Sequence, residues 1–175
     1  MGRDRSMKYI LTLLFLMSFG SGCANEVFIH SSIKDASYSA DTSEIWLKST
    51  ILSALDFWQQ HGITLRYVEH APRIPVAVGF TFGGDSYFSD LEQKIVLSRD
   101  YLENNNEVLT SDQLEIARTC ITAHEIGHSL GMPHVSNKNS LMYETAGVDF
   151  RHHICFWSDE DQTSLDRTVL EQKPE

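Results

Sequence analysis

The 175-residue sequence predicts an α+β fold organised as a single domain. Three segments carry helix signals, two runs alternate at strand period with a third short run behind them, and no repeat, low-complexity tract or internal linker divides them. Once the amino-terminal segment is set aside, about 150 residues remain, enough to bury close to 70% of the unfolded surface in one core.

The first element is an export signal at residues 1–22. Lys8 precedes an apolar run from Tyr9 to Phe19, too short to span a membrane, and Gly20, Ser21 and Gly22 lead to Cys23. Met7 offers an alternative start. The Ser-Gly-Cys ending resembles a bacterial lipoprotein cleavage site, which would make Cys23 the lipidated first residue of an envelope protein. Gly20 departs from the branched residue usual there, so ordinary secretion stays open, as does an unlipidated Cys23 acting as a latency ligand to a metal. The domain then covers residues 23–175, with a first strand candidate a few residues after the signal.

Residues 42–60 read as a helix. Asp41 with Glu44 makes a capping-box-like start, Leu47, Ile51, Leu55 and Trp58 form one stripe, and Gly62 supplies the stop. In residues 63–68, Ile63, Leu65 and Tyr67 alternate with polar neighbours; in 76–82, Val76, Val78, Phe80 and Phe82 alternate with smaller ones. Pro72 and Pro75 predict a rigid loop between these strands, and residues 95–98 predict a further strand. Thr110 and Gln113 could cap the next helix. On it Ala117, Ile121, His124 and His128 share one face, for a cleft, while Ile116, Cys120 and Leu130 share another, for the core. Ser158 and Asp161 start a last helix reaching about Leu170.

The second helix carries the chemistry. Residues 124–134 read His-Glu-Ile-Gly-His-Ser-Leu-Gly-Met-Pro-His. His124 and His128 lie one turn apart and can approach one cation from the same side. Gly131 falls where the helix must stop; a positive φ there swings His134 back toward the same point. Three neutral imidazoles favour zinc, and three protein ligands leave a fourth position open for water, as in catalytic rather than structural sites. Zinc lowers the pKa of such a water toward about 7, and Glu125 can take its proton and pass it to a leaving amine. The expected cofactor is one catalytic zinc ion.

The pattern H-E-x-x-H-x-x-G-x-x-H, followed by Met142 within Ser140-Leu141-Met142-Tyr143, resembles the metzincin signature with its methionine turn, and its short gap and Leu-Met-Tyr wording resemble the matrixins. The resemblance extends more weakly over most of the exported chain. It implies a metzincin-like (zincin) catalytic domain with a twisted, mostly parallel sheet, a backing helix, an active-site helix and a small carboxy-terminal subdomain with one helix. It also implies zinc in the cleft between the two parts, Met142 as a hydrophobic floor beneath it, and an extended peptide laid along the edge strand beside the metal. Glu144 to Phe150 would form the wall that sets side-chain preference. Tyr143 is not expected to be a ligand. Residues 83–90 contain no histidine, so the second, structural zinc of matrixins is not expected, and the short lead-in leaves no room for a matrixin-style inhibitory propeptide.

Two other readings of the motif stand beside this one. Glu144 could replace His134 as third ligand, against which His134 and Met142 speak; or the domain could be a non-catalytic zinc-dependent peptide-binding module, against which an intact Glu125 speaks. Asp85, Asp90, Glu92 and Asp100 could supply a calcium site but lack a recognisable loop pattern. Arg151, His152 and His153 read as a solvated basic loop, and His30, His61 and His70 are isolated.

Export makes Cys120 and Cys155 an even pair in an oxidising compartment, and a disulfide between them is expected. With 14 basic and 24 acidic residues, the net charge is −10, and the exported part is more acidic still. Such a surface argues against nucleic acid and anionic lipid as partners and leaves open a preference for basic peptides, although a net charge is usually only a solubility device; the expected partner is a protein or peptide substrate, with the membrane reached only through a lipid anchor. A monomer is expected.

Overall fold

The structure is a computed structural model, describing residues 37–40, 45–68, 73–81, 85–99 and 109–171. Cys23, His30, His70 and Asp100, and the expected start of the first helix, lie outside these. The described elements are β1 (Ser37–Ala40), α1 (Ile45–Gln60), β2 (Arg66–Tyr67), β3 (Ile74–Gly79), β4 (Tyr87–Ser89), β5 (Lys94–Ser98), α2 (Ser111–Ser129), β6 (Val148–Asp149), β7 (Ile154–Cys155) and α3 (Asp159–Glu171).

Five strands form one sheet in the order β2-β1-β3-β5-β4, and β6 pairs with β7 in a separate hairpin. The first four strands of that order run parallel, while β4 runs antiparallel to β5 and forms the edge. α1 packs against both the sheet and α2, where its stripe is buried: Leu47, Ile51, Ala54 and Trp58 are fully buried and Leu55 nearly so. Each leucine or isoleucine among them contributes about 1.5–3 kcal/mol when removed from water. The helix ends in a Schellman motif, with Gly62 at φ 84° and the Ile63 N–H returning to the Trp58 carbonyl at 3.0 Å.

The strands differ in extent from their sequence signals. β2 keeps only two paired residues, because Ile63 is spent on leaving the α1 turn and burying itself in the core. β3 begins at Ile74 and ends at Gly79, so Phe80, expected to point inward, is 78% exposed. Pro75, expected in a loop, lies inside β3. Its missing N–H is tolerated because pairing with β5 starts only at Val76, leaving β1 as the sole neighbour at that level. β4 and the hairpin have three and two residues per strand, too few to register at period two.

Candidate active site

α2 is fixed before it offers any ligand. Thr110 and Gln113 form a reciprocal capping box: the Thr110 Oγ1 accepts from the Gln113 N–H at 3.3 Å and the Gln113 Oε1 from the Thr110 N–H at 3.0 Å. Midway, Cys120 is bonded to Cys155 of β7, tying the helix to the hairpin beyond the methionine turn. The Trp58 Nε1 of α1 donates to the Ala123 carbonyl at 3.0 Å, and the Tyr38 hydroxyl of β1 meets the Ser129 Oγ at 3.1 Å. α2 is thereby clamped on both sides of His124 and His128, to α1 on one and to β1 on the other.

A second Schellman motif ends α2. Gly131 takes φ 96°, its N–H bonds the His128 carbonyl at 2.9 Å, and the Met132 N–H reaches the Gly127 carbonyl at 3.0 Å. The reversal brings His134 back to His124 and His128, the ligand atoms of all three lying within 4.8 Å of one another.

The protons of the two helical imidazoles are fixed by what their other nitrogens face. The His124 Nδ1 donates to the Leu141 carbonyl at 2.7 Å and the His128 Nδ1 donates to the Met132 carbonyl at 2.9 Å. A carbonyl only accepts, so each ring carries its proton on Nδ1 and turns a bare Nε2 lone pair inward. The His128 Nε2 stands 3.0 Å from that of His124 and 3.1 Å from that of His134. Lone pairs so close repel unless a cation sits among them. Three imidazoles on a tetrahedral zinc would hold their nitrogens about 3.3 Å apart, near what is found here. Burial pushes the His124 pKa down to about 4 and lowers that of His128, opposed in each by the carbonyl bond, so both rings are in the neutral, ligating form at pH 7.

Glu125 is 4% exposed, and its Oε2 has no hydrogen-bond partner. Burial pushes its carboxyl up to about 8, the charge of Asp85 adds to that, and a bond from the Phe88 backbone opposes it. An orphaned buried carboxylate oxygen is costly by itself; a cation and a polar ligand beside it would remove the cost. The donor set therefore fits a zinc ion.

Met142 is fully buried directly under α2. A Cβ placed on Gly127 would lie 2.4 Å from the Met142 Sδ, so only glycine lets the turn approach the helix between its two histidines. The turn is held from below by Asp161, which is 0% exposed. Its Oδ2 accepts from the Leu141 N–H at 3.0 Å and the Ser158 N–H at 2.9 Å, and its Oδ1 accepts from the Met142 N–H at 3.0 Å. Sequence reasoning finds Asp161 only as a helix-start residue. Its hold on the turn, and through the Leu141 carbonyl on His124, has no sequence signal.

Above the triad lies a cleft of about 700 Å³. Its lining comes from three stretches of chain: Asp85 to Phe88 and Asp90 on and beside β4, His124, Glu125 and His128 on α2, and Glu144, Thr145 and Ala146 after the methionine turn. Glu144 is thus a lining residue and not a member of the triad. Tyr143 bridges Val135 through the backbone. His61 stacks on Trp157, and the His152 Nδ1 pairs with Asp149 at 2.7 Å. Among the described residues the triad is the one cluster able to hold a metal ion; Asp85, Asp90 and Glu92 form none.

A family model described as matrixin matches residues 31–166. The crystal structure of myroilysin superposes with a TM-score of 0.50 at 12% identity, over 77% of this chain and 82% of that one, a likeness of fold alone. A search of curated proteins found no match. The observed architecture, a mixed sheet with three helices, is that of a metzincin-like α+β catalytic domain.

Proposed function

This chain belongs to the matrixin family of metalloproteases, and from that premise we propose that it is a zinc-dependent endopeptidase in which Glu125 carries the proton. His124, His128 and His134 would hold the ion, which when bound supplies a Lewis acid for the scissile carbonyl and a water acidified toward a pKa of about 7. The free Oε2 of Glu125 takes the proton from the attacking water as its oxygen bonds to the carbonyl carbon. The same oxygen returns the proton to the amide nitrogen as the C–N bond breaks, so no covalent enzyme intermediate is needed. β4, the sheet edge lining the cleft, offers main-chain groups to an extended substrate, which fixes the scissile bond over the triad.

The observation that carries this reading is the convergence of three imidazole nitrogens, two of them held bare by their rings' carbonyl bonds, beside an orphaned, buried carboxylate oxygen. The Cys120–Cys155 bond supports an exported protein, since such bonds persist in oxidising compartments. Glu125→Ala is expected to retain one zinc per chain by elemental analysis and to lose cleavage of a denatured protein substrate. A wild-type protein that holds zinc but cleaves no peptide would instead identify a binding module.

A further inference from the structure

Besides Glu125, three carboxylates from two separate stretches of chain line the cleft. Asp85 and Asp90 flank the edge strand β4 and Glu144 follows the methionine turn; all three are exposed, and among the described residues no lysine or arginine lines the cleft. None of these three side-chain carboxylates has a hydrogen bond or ion pair among the described residues, so each is free to receive a ligand's charge. They face the site itself: the charge of Asp85 is felt at Glu125, and that of Asp90 at His128. An independent mark of a ligand lies in the same cleft, where the nine-tenths-buried Glu125 presents an unpartnered Oε2.

We propose that the cleft selects polypeptides bearing lysine or arginine around an apolar centre, the basic side chains pairing with Asp85 and Asp90 beside β4 and with Glu144 beyond the methionine turn. The inference rests on the reading of this cleft as a peptide site, and adds to it the class of peptide. The apolar middle follows from Phe88, Ile121, Pro133 and Ala146, which line the same cleft. A low-dielectric groove walled by one sign of charge concentrates its field on the ligand, so the preference appears mainly in capture of the peptide. Each exposed pair is expected to contribute about a two- to fivefold preference.

Three peptides with one apolar core, flanked on both sides by Lys, by Gln or by Glu, test this on the zinc-loaded protein. Two readouts are taken: kcat/KM with the wild type, and binding by fluorescence anisotropy with Glu125→Ala. The expected order is Lys above Gln above Glu in both, with a Lys-to-Gln ratio near tenfold at low salt that shrinks in 0.5 M NaCl. In the triple variant Asp85→Asn, Asp90→Asn, Glu144→Gln the ratio should fall to within about twofold of unity. If that variant does not fold, the single charge reversal Asp90→Lys should lower the ratio by itself. Equal binding of the three peptides, or a lysine preference that survives these substitutions, overturns the proposal. Cleavage of all three at equal rates leaves the endopeptidase standing without its charge selectivity. Preferential binding of the Lys peptide with no cleavage removes the endopeptidase and keeps the ligand class.

Discussion

Asp161→Asn isolates the hold of α3 on the metal centre. The substitution keeps shape and volume but replaces one acceptor oxygen by an NH2 group. Whichever way the amide turns, a donor then faces donors: the Leu141 and Ser158 N–H groups if Nδ2 takes the place of Oδ2, or the Met142 N–H if it takes that of Oδ1. The second orientation spoils fewer bonds. At least one buried N–H is left without an acceptor, costing about 1–3 kcal/mol, and the bonds that remain lose their charge assistance, so a total near 2–4 kcal/mol is expected. For a domain of this size the melting temperature should drop by about 4–16 °C. The turn that shifts is the one whose Leu141 carbonyl accepts from the His124 Nδ1 at 2.7 Å. Supporting groups of this kind typically alter metal affinity by about 10–100-fold. Thermal melts of metal-free protein, zinc competition against a chromophoric chelator, and the visible spectrum of the cobalt-substituted form measure the two effects separately. A variant that melts lower yet binds zinc as tightly, with an unchanged cobalt spectrum, would refute the argument and leave Asp161 as a helix cap alone.

Gly127→Ala sets a gain in helix propensity of about 1 kcal/mol against the overlap of the new Cβ with Met142. Met142 is pinned at its N–H by Asp161 and at its carbonyl by the Val135 N–H at 2.8 Å, so overpacking of about 1–3 kcal/mol should prevail, with weakened zinc binding; a higher melting temperature and unchanged zinc affinity would show that the turn gives way freely. Replacing Cys120 and Cys155 by Ser opens a loop between residues 35 apart, and the expected loss of about 3–4 kcal/mol is read by urea titration against the wild type. Thr110→Ala, at the far end of α2, should cost about 1 kcal/mol in the same titration and leave the zinc affinity unmoved. His134→Ala removes the exposed ligand delivered by the Gly131 turn, and chelator competition should show zinc held more weakly than in any variant above while the metal-free melt changes by less than about 0.5 kcal/mol.

The chain alone determined whatever depends on neighbours along it. The four-residue step from His124 to His128, the glycine at 131, the stripe of α1 with its Gly62 stop, and the cap at Thr110 each act through a backbone period or a single dihedral, and a period is visible in the letters. The cysteine pair was legible for a different reason, since setting Cys23 aside with the export signal leaves two thiols and one pairing. What only the tertiary structure decided involves partners distant in sequence. Asp161 reaches back about twenty residues to the methionine turn, yet as a letter it is indistinguishable from any helix-capping acid. Pro75 sits in a strand because its neighbour on one side begins a residue later, and Phe80 is exposed because the ladder stops at Gly79. Asp85 and Glu144 come to line one groove through the folding of two loops, and electrostatic fields add over space rather than over sequence. Local geometry was therefore written in the order of residues, whereas the support beneath the metal site and the charge around it came from packing, which brings together groups that no spacing relates.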